Sequence, residues 1–422
     1  MAYKVSVVSL GCPKNQVDAE MMLKALVDGG FELSTVEAEA DAIIINTCCF
    51  IKKKKKEAIE NILDCAAYKK DGNLKALIVT GCLAERYKDD ITEEIPEVDL
   101  VVGIGSNSKI AELTLAAIEN RAKNSYGPKE DLDLNAERIL GGMPFTAYIK
   151  VSDGCDNCCT YCAIPKIRGR LRSRTIEDIV KEAKTLSKQG VTELIVVGQD
   201  TTAYGEDLYG VSKLPELLEE LCKIEGIHWI RTLYTYPDRI THKLLKVIKE
   251  NEKLVKYLDI PLQHIDGDIL KRMNRKGDEA SLRALIAKIR KEIPEITLRT
   301  TFITGFPGET DELFMETYNF LCNVIRPAFI HIFPYSRRSG TPAAERKDQV
   351  QDCIKTKRVQ MLEELCQRLH EEFIASNKGI KEKVLFESTD RKGMMEGYTG
   401  NYIRVSRPYD PDMIGKIAEI EI

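Results

Sequence analysis

The sequence predicts an α/β protein in three parts: a parallel sheet with helices on both faces, a parallel barrel short of closure, and a small β-barrel. Apolar, β-branched runs alternate with helical patterns over residues 1–120, which is typical of a parallel sheet buried on both faces. Residues 121–140 are polar with weak periodicity, as in a linker. Strand and helix patterns then alternate six times over residues 141–376, fewer than the eight repeats that close a barrel. Short strand patterns separated by glycine and proline turns fill residues 377–422.

Composition limits the kind of protein. A chain of 422 residues is too long for one ordinary core, so two or three domains are expected. The net charge of -4 gives no overall footprint for nucleic acid, which weakens the hypothesis of an RNA substrate. The N-terminus begins directly with a strand pattern rather than a signal peptide, and no apolar run reaches the length of a membrane span. We therefore expect a cytoplasmic protein without a membrane partner, in which thiols stay reduced and can bind metals.

Four strand patterns and three helical patterns make up the first domain. The strand patterns are 3–10, 41–45, 75–80 and 100–102, and the helical patterns are 18–28, 52–68 and 106–120. The second helical pattern opens with five lysines at 52–56. We interpret this run as a solvated first turn rather than as a surface for RNA or an acidic partner, because isolated charge runs are usually only surface.

Three of these strand patterns end in a cysteine: Cys12, Cys48 and Cys82. An open parallel sheet binds ligands outside the carboxyl ends of its strands, so these thiols should converge on one edge. Three converging thiolates suit an iron–sulfur cluster with one iron left free. The alternative is structural, since free cysteine packs as a small hydrophobe in β-rich cores. Cys49 and Cys65 do not lie at equivalent strand ends, and we interpret both as structural.

The barrel domain shows six strand patterns with helical patterns between them. The strand patterns are 145–151, 193–197, 229–236, 257–260, 298–304 and 329–333, and the helical patterns are 176–189, 214–224, 242–251, 279–292 and 311–324. A long amphipathic helix or helix pair follows over 341–377. Active sites of parallel barrels lie at the carboxyl ends of the strands, so the loops after these strands are the place to look for chemistry.

A cysteine cluster follows the first barrel strand. Cys155, Cys159 and Cys162 have the spacing Cys-x3-Cys-x2-Cys, and three thiolates this close can hold three corners of a cubane iron–sulfur cluster. The fourth iron would then be open to a substrate, as one position is in catalytic zinc sites. Tyr161 could shield the cluster from solvent. A zinc site that also uses Cys158 is the alternative, although four-cysteine zinc sites normally separate their two pairs by a long loop.

Later barrel strands also end in residues suited to binding. Gln199 and Asp200 follow the second strand. Gly305 and Gly308 follow the fifth and would let the backbone approach a ligand, although a tight strand-to-helix turn explains them equally well. His264 follows the fourth strand and could be catalytic, but a lone histidine is more often structural.

The C-terminal strand patterns carry little net charge. They are 383–387, 394–399, 402–406 and 417–422. Residues 378–422 contain eight Lys and Arg against eight Asp and Glu. A module that grips phosphates should be clearly basic, so a near-neutral one fits a protein partner better.

The order of these motifs resembles that of the methylthiotransferase family of radical S-adenosylmethionine (SAM) enzymes. The barrel with Cys155, Cys159 and Cys162 resembles the radical SAM core, and the last part resembles a TRAM domain. The resemblance implies a flavodoxin-like N-terminal domain, a partial (β/α)6 radical SAM barrel and a small C-terminal β-barrel. The N-terminal motifs that carry it are Leu10-Gly11-Cys12-Pro13-Lys14-Asn15, Asn46-Thr47-Cys48 and Thr80-Gly81-Cys82.

The resemblance implies two 4Fe-4S clusters and SAM as cofactors. A cluster on Cys155, Cys159 and Cys162 would bind and cleave SAM, and the resulting deoxyadenosyl radical would take hydrogen from an unactivated carbon. A second cluster would supply or hold the sulfur, and another SAM would supply the methyl group. The second cluster would lie on Cys12, Cys48 and Cys82, and the SAM pocket would include Tyr161, Gln199, Asp200, Gly305 and Gly308.

Within the family, the motifs are most similar to those of members that modify the β-carbon of an aspartate in the twelfth protein of the small ribosomal subunit. Relatives that modify tRNA usually read Tyr-Gly-Cys-Gln-Met-Asn at the first motif, so methylthiolation of a tRNA adenosine is the second hypothesis. A third, of another class, is a non-catalytic iron–sulfur redox or sensor protein. The expected partners are a small-subunit ribosomal protein, a reductant or electron donor protein and a sulfur donor.

Overall fold

The computed structural model describes residues 2–49, 52–387 and 392–422. The chain divides into two compact units. The first unit comprises Met1–Gly141, Ser152–Asp156 and Ile164–Arg172, and the second comprises Gly142–Val151, Asn157–Ala163 and Ser173–Ile422. The first unit therefore includes both flanks of the cysteine cluster in addition to the N-terminal region. The domain boundaries expected from the sequence stay a prediction.

A five-stranded parallel sheet forms the centre of the first unit. Its strand order is β2-β1-β3-β4-β5, which is the order of a flavodoxin-like fold and confirms that expectation. Both β3 and β4 are buried along their whole length, as expected for strands covered on two faces. The sequence did not predict β2, because two residues carry no periodic pattern. The strands are β1 (Lys4–Ser9), β2 (Glu32–Leu33), β3 (Ala42–Thr47), β4 (Ala76–Gly81) and β5 (Leu100–Val101).

Seven α-helices lie in the described part of the first unit. The first begins at Pro13, five residues before its predicted start, since the fixed φ of proline suits a first helical turn. The second begins at Lys52, as predicted, and its exposed lysines include Lys56, which pairs with Glu60 at 3.4 Å. The helices are α1 (Pro13–Asp28), α2 (Lys52–Ala66), α3 (Tyr68–Asp71), α4 (Cys82–Arg86), α5 (Lys88–Glu94), α6 (Ile110–Ile118) and α7 (Ile164–Arg168).

The core of the first unit joins the sheet to α1. Val5, Ile44 and Ile78 come from the three central strands and are fully buried. They form one cluster with Met22 and Leu26 of α1. This packing fixes α1 against the sheet, and it therefore fixes the first turn of α1 at the carboxyl end of β1.

Six parallel strands form the barrel of the second unit, as predicted. They are arranged as two three-stranded sheets, with the orders β10-β9-β6 and β11-β12-β13. Thr235 links the two sheets, since its N–H and its hydroxyl both donate to the carbonyl of Asp259, at 3.0 and 2.6 Å. The barrel strands are β6 (Thr146–Lys150), β9 (Glu193–Val197), β10 (Trp229–Thr232), β11 (Tyr257–Gln263), β12 (Thr297–Thr304) and β13 (Phe329–Pro334), and two short strands, β7 (Ser152–Asp153) and β8 (Arg172–Ser173), flank the cysteine cluster.

Helices follow the barrel strands at the predicted places, but the long helix predicted over 341–377 begins only at Asp352. Five of them begin at a side chain that accepts a backbone N–H of the first turn, which satisfies donors that a helix cannot pair internally. In the described ranges, no helix is both long and apolar enough to cross a lipid bilayer. The helices are α8 (Ile176–Lys188), α9 (Glu206–Tyr209), α10 (Leu214–Cys222), α11 (His242–Glu250), α12 (Gly267–Arg272), α13 (Glu279–Glu292), α14 (Asp311–Phe320) and α15 (Asp352–Ser376).

The C-terminal strands form a curled antiparallel sheet, which is a half-barrel. The strand order is β16-β15-β14-β17, so the last strand pairs with the first. The small β-barrel expected from the sequence is therefore an open sheet of four strands in the described residues. The strands are β14 (Lys381–Phe386), β15 (Met394–Thr399), β16 (Arg404–Pro408) and β17 (Ile417–Glu421).

A buried arginine joins this sheet to the barrel. Arg231 of β10 pairs with Glu193 at 2.9 Å, and both side chains are almost fully buried. Its Nη1 donates to the carbonyl of Gly400 at 2.6 Å. The guanidinium also lies 3.6 Å from the ring centroid of Tyr402, a favourable cation–π arrangement. The half-barrel is therefore held at the end of the barrel where β9 and β10 begin.

Arg231→Met is expected to lower the free energy of unfolding by about 3–5 kcal/mol, because it leaves the carboxylate of Glu193 buried without its partner. Urea denaturation followed by circular dichroism measures the change. Arg404→Met is the matched control, since Arg404 forms an exposed pair with Glu396 and should change stability by no more than about 1 kcal/mol. Equal losses in the two variants would contradict the role given to Arg231.

Candidate metal centres

The structure places Cys12, Cys48 and Cys82, which we call the strand-end thiols, at the carboxyl ends of three adjacent strands. Cys12 precedes α1, and Cys82 is the first residue of α4. Their Sγ atoms lie 3.5 and 3.6 Å from a single acceptor, Oδ1 of Asn15. Cys48 directly follows β3, the strand between β1 and β4. The predicted convergence of these residues on one edge of the sheet is therefore observed.

Gly81 allows the strand ends to come this close. Its φ is +90°, in the left-handed region that side chains avoid. A Cβ at this position would lie 2.4 Å from Oδ1 of Asn46 and 2.5 Å from the carbonyl oxygen of Thr47. Only glycine fits here, so the Gly-Cys order of the third motif has a direct structural cause.

Burial sets the protonation of the Cys82 thiol. Burial raises the pKa of the Cys82 thiol to about 12, the guanidinium of Arg168 opposes that shift, and the thiols of Cys12, Cys49 and Cys48 add to it. Without a metal, Cys82 therefore stays protonated at neutral pH. A thiol must lose its proton to bind a metal, so metal binding at this site would release protons.

The three thiols of Cys12, Cys48 and Cys82 are a donor set that fits an iron–sulfur cluster. Thiolates are the ligands that hold iron–sulfur clusters. In the part of the chain that the structure describes, no three His, Cys, Asp or Glu side chains are grouped tightly enough for one metal ion. A cubane cluster bonds each thiolate to a different iron and therefore needs its ligands farther apart. The assignment of Cys12, Cys48 and Cys82 as cluster ligands stays a prediction that this arrangement supports.

Cys49 lies beside this site, although it is not at a strand end. Its thiol donates to the carbonyl of Cys82 at 3.3 Å. That bond agrees with the structural role expected for Cys49. Cys65 is buried within α2, and burial raises the pKa of its thiol to about 11.

The second candidate site begins at a tight turn before Cys155. Gly154 has φ +76°, and a Cβ there would lie 1.9 Å from the carbonyl oxygen of Arg170. The N–H of Cys155 donates to the carbonyl of Gly169 at 3.2 Å. The chain before the cysteine cluster therefore pairs closely with the chain after it.

Gly154→Ala is expected to destabilise the protein more than Gly190→Ala does. Gly190 also has a positive φ, +96°, but has no atom within 4 Å of an added Cβ, so that variant reports backbone strain alone, on the order of 1–2 kcal/mol. Gly154→Ala adds the clash with Arg170. Thermal unfolding of the two variants compares them, and equal losses would show that the close pairing around Gly154 is not needed.

Cys159 lies among polar and aromatic groups of the second unit. Its Sγ is 4.0 Å from Nη1 of Arg275, whose Nη2 is anchored on the carbonyl of Pro261 at 2.7 Å. The phenols of Tyr161 and Tyr236 also interact with Cys159, and burial raises the pKa of both. Both phenols therefore remain protonated donors at neutral pH.

Tyr161 is buried in an aromatic cluster. Its ring meets Phe306 edge-on with centroids 6.4 Å apart, and Phe306 meets Tyr335 in the same way at 5.4 Å. The N–H of Cys162 donates to the carbonyl of Cys159 at 2.9 Å, which closes a turn around Tyr161. This placement supports the predicted role of Tyr161 in keeping solvent from the motif.

Cys158 has a different environment from its neighbours. It is exposed and has φ +50°, and its carbonyl accepts from Asn274 at 3.1 Å. Nothing in this geometry requires a thiol at this position.

Asp200 orders its own loop. Its Oδ1 accepts from the N–H groups of Thr202 and Ala203, and its Oδ2 accepts from Asn157 at 2.7 Å and from Arg239 at 3.2 Å. Burial raises the pKa of Asp200. Gln199 is half-buried and lies two residues after the end of β9. The assignment of Gln199 and Asp200 to a cofactor stays a prediction, and the contacts of Asp200 describe a structural role.

Gly305 and Gly308 both have positive φ, +71° and +86°. An added Cβ would lie 2.3 Å from Cγ of Lys355 at Gly305 and 2.0 Å from Nη1 of Arg272 at Gly308. The protein itself therefore needs both glycines, which favours the turn interpretation. Whether they also approach a cofactor stays a prediction.

His264 belongs to a buried network with Glu309 and Arg358 rather than to an open site. Its Nε2 lies 3.3 Å from Glu309, and its Nδ1 accepts the N–H of Asp266 at 3.0 Å. Glu309 is also paired with Arg358 at 2.6 Å. These contacts agree with the structural alternative given for His264.

Two arginines close to the thiols were not predicted as site residues. Arg168 contacts Cys82, and Arg275 contacts Cys159. Both contacts join residues more than 80 positions apart in the sequence. Arg168 lies six residues after Cys162, and this nearness to the cysteine cluster is the only signal that the sequence offers for it.

Two known protein families match this chain, one over its N-terminal region and one over its barrel. The family described as "Radical SAM superfamily" matches residues 149–321, and "Uncharacterized protein family UPF0004" matches residues 4–103. The class is therefore that of a radical SAM enzyme with a UPF0004 domain before the barrel. This match favours the iron–sulfur interpretation of the cysteine cluster over the zinc alternative.

Close relatives narrow the class. "Ribosomal protein uS12 methylthiotransferase RimO" of Lachnoclostridium phytofermentans is 48% identical over 385 residues, covering 91% of this chain and 87% of that protein. The protein of the same name in Alkaliphilus oremlandii is 45% identical over 415 residues, covering 98% and 91%. The chain belongs to this family of ribosomal protein uS12 methylthiotransferases.

Solved structures agree on the fold. TsrM of Kitasatospora setae, a radical S-adenosylmethionine methyltransferase with cobalamin and a 4Fe-4S cluster bound, has a TM-score of 0.61 at 14% identity, covering 82% of this chain and 77% of that one. OxsB, a cobalamin-dependent S-adenosylmethionine radical enzyme, has a TM-score of 0.54 at 14% identity, covering 88% and 56%. At this identity the similarity shows the fold alone.

Proposed function

We propose that this chain is a radical SAM methylthiotransferase that adds a methylthio group to the β-carbon of an aspartate in ribosomal protein uS12. The observation that carries the proposal is the convergence of the strand-end thiols, in a chain that also contains Cys155, Cys159 and Cys162. The family of the close relatives supports the choice of substrate. The near-neutral charge of residues 378–422 agrees with a protein substrate.

When bound, a 4Fe-4S cluster on Cys155, Cys159 and Cys162 would supply one-electron cleavage of SAM, and so the power to remove hydrogen from an unactivated carbon. A second cluster on Cys12, Cys48 and Cys82 would supply or hold the sulfur. A general base cannot usefully deprotonate such a carbon at neutral pH.

The surrounding residues prepare the thiols for this task. Arg275 lies beside the thiol of Cys159 and is itself anchored on the carbonyl of Pro261. Tyr161 and Phe306 exclude water from the same region, and solvent exposure affects the potential of a cluster. Asn15 fixes Cys12 relative to Cys82, while its own Nδ2 donates to the carbonyl of Thr47 at 2.9 Å.

The reaction also needs partners. We propose a reductant or electron donor protein and a sulfur donor, because each turnover consumes electrons and sulfur. Action in the cytoplasm suits both the ribosomal substrate and thiols that must stay reduced.

A competition experiment tests the substrate. The reconstituted and reduced enzyme receives SAM and sulfide together with uS12 and bulk tRNA, and both are analysed by mass spectrometry. A methylthio gain on uS12 is expected, and none is expected without reductant. A gain on a tRNA nucleoside instead would contradict the proposal and would point to the exposed lysines of α2 as an RNA contact. Absence of deoxyadenosine would favour the non-catalytic sensor.

A further inference from the structure

Arg168, the last residue of α7, has a charged side chain that is only 2% exposed. Its Nη1 lies 2.7 Å from Asp18 and 2.9 Å from Asp153, and both carboxylates are almost fully buried. Burying a guanidinium is unfavourable unless it is paired, and each of the two aspartates stabilises Arg168 in this position. The three residues carry a net charge of about -1 when all are ionised.

The other nitrogen of Arg168 faces the strand-end thiols. Nη2 donates to Oδ1 of Asn15 at 3.1 Å and lies 3.7 Å from Sγ of Cys82, within hydrogen-bond distance for sulfur. The same Asn15 oxygen is the acceptor on which Cys12 and Cys82 converge. One guanidinium therefore reaches the carboxylates with one nitrogen and the thiol site with the other.

We propose that Arg168 is a positioning residue that donates an N–H···S hydrogen bond to Cys82 and thereby sets the reduction potential of the cluster held by the strand-end thiols. The inference rests on the proposed function, since it needs that cluster to form. Reduction adds negative charge to an iron–sulfur cluster, and hydrogen bonds to its sulfurs and nearby net charge tune its potential. A positive donor at Cys82 stabilises the reduced form and raises the potential.

Asp18 and Asp153 decide which substitution is informative. Replacing Arg168 alone leaves two buried carboxylates without their cation, which endangers folding. The double variant R168M/D18N removes one positive and one negative charge, so the net charge of the group is unchanged while the donor to Cys82 is lost. D18N alone is the matched control, because it keeps the donor.

The test is an anaerobic redox titration followed by electron paramagnetic resonance. The full chain with Cys155, Cys159 and Cys162 replaced by alanine serves as the parent, so that only the cluster on the strand-end thiols contributes. Relative to the parent, R168M/D18N is expected to shift the reduction equilibrium at least tenfold towards the oxidised form. This shift corresponds to a reduction potential about 59 mV lower for one electron. The reduction potential of D18N is expected not to fall below that of the parent.

Three outcomes would overturn the inference. If folded, iron-loaded R168M/D18N has the reduction potential of the parent or of D18N, Arg168 does not tune the cluster. If R168M/D18N does not fold, R168K decides: it keeps the charge, but one ammonium cannot reach both carboxylates and Cys82, so an unchanged potential contradicts the role. If the parent, in which Arg168 is intact, binds no iron, the strand-end thiols do not hold a cluster and the proposed function fails as well. The iron content of the parent therefore distinguishes a failure of the proposed function from a failure of the role given to Arg168.

Discussion

Replacing Cys48 with alanine is expected to leave SAM cleavage intact and to reduce the methylthio product to background. Cys48 follows β3, between the strands that lead to Cys12 and Cys82. Its loss removes one of three proposed ligands of the sulfur-supplying cluster, and none of the residues proposed to hold the cluster that cleaves SAM. Deoxyadenosine and methylthiolated uS12 are quantified in the same reaction, so the two activities are separated directly.

Cys65→Ala is the matched control for Cys48→Ala. Cys65 is also a buried cysteine of the first unit, but it lies in α2 and not at a strand end. The control should retain both activities. Full methylthio product from Cys48→Ala would show that the role given to the strand-end thiols is wrong.

Replacing Cys159 with alanine is expected to abolish SAM cleavage and therefore all product. Cys159 is the central cysteine of the Cys-x3-Cys-x2-Cys motif, and its thiol lies next to Arg275, Tyr161 and Tyr236. A three-thiolate site has no spare protein ligand, so two thiolates should not hold the cluster in a competent form. The measurement is deoxyadenosine formed under reducing, anaerobic conditions, together with iron per chain.

Cys158→Ala is the control that separates this account from the zinc alternative. A four-cysteine zinc site would need Cys158 as much as Cys159. Cys158 is exposed, and the iron–sulfur account gives its thiol no role. Cys158→Ala should therefore keep iron and SAM cleavage, and equal losses in the two variants would contradict the assignment of the motif.

Periodicity predicted most of the fold because parallel strands are buried on both faces. The apolar runs of the first unit became β1, β3, β4 and β5, and all six barrel strands formed where expected. The two-residue strand β2 had no pattern to detect. The arrangement of the barrel as two three-stranded sheets also depends on pairing between distant strands, which periodicity does not encode.

The candidate sites were predictable only as far as local rules reach. Strand-end position predicted the convergence of Cys12, Cys48 and Cys82, because adjacent parallel strands end at one edge. Contacts at long sequence separation were not predictable, and Arg168 beside Cys82 is the main example. Gly305 shows the opposite case, since the packing of Lys355 explains a glycine that had suggested a ligand.

Hydrogen abstraction from the β-carbon can be measured by following one hydrogen atom from uS12 to deoxyadenosine. The enzyme is given uS12 in which the aspartates carry deuterium at the β-carbon, and the deoxyadenosine formed is analysed by mass spectrometry. We expect deuterium to appear in deoxyadenosine in step with the methylthio product on uS12. Methylthiolated uS12 accompanied only by unlabelled deoxyadenosine would contradict abstraction from that carbon.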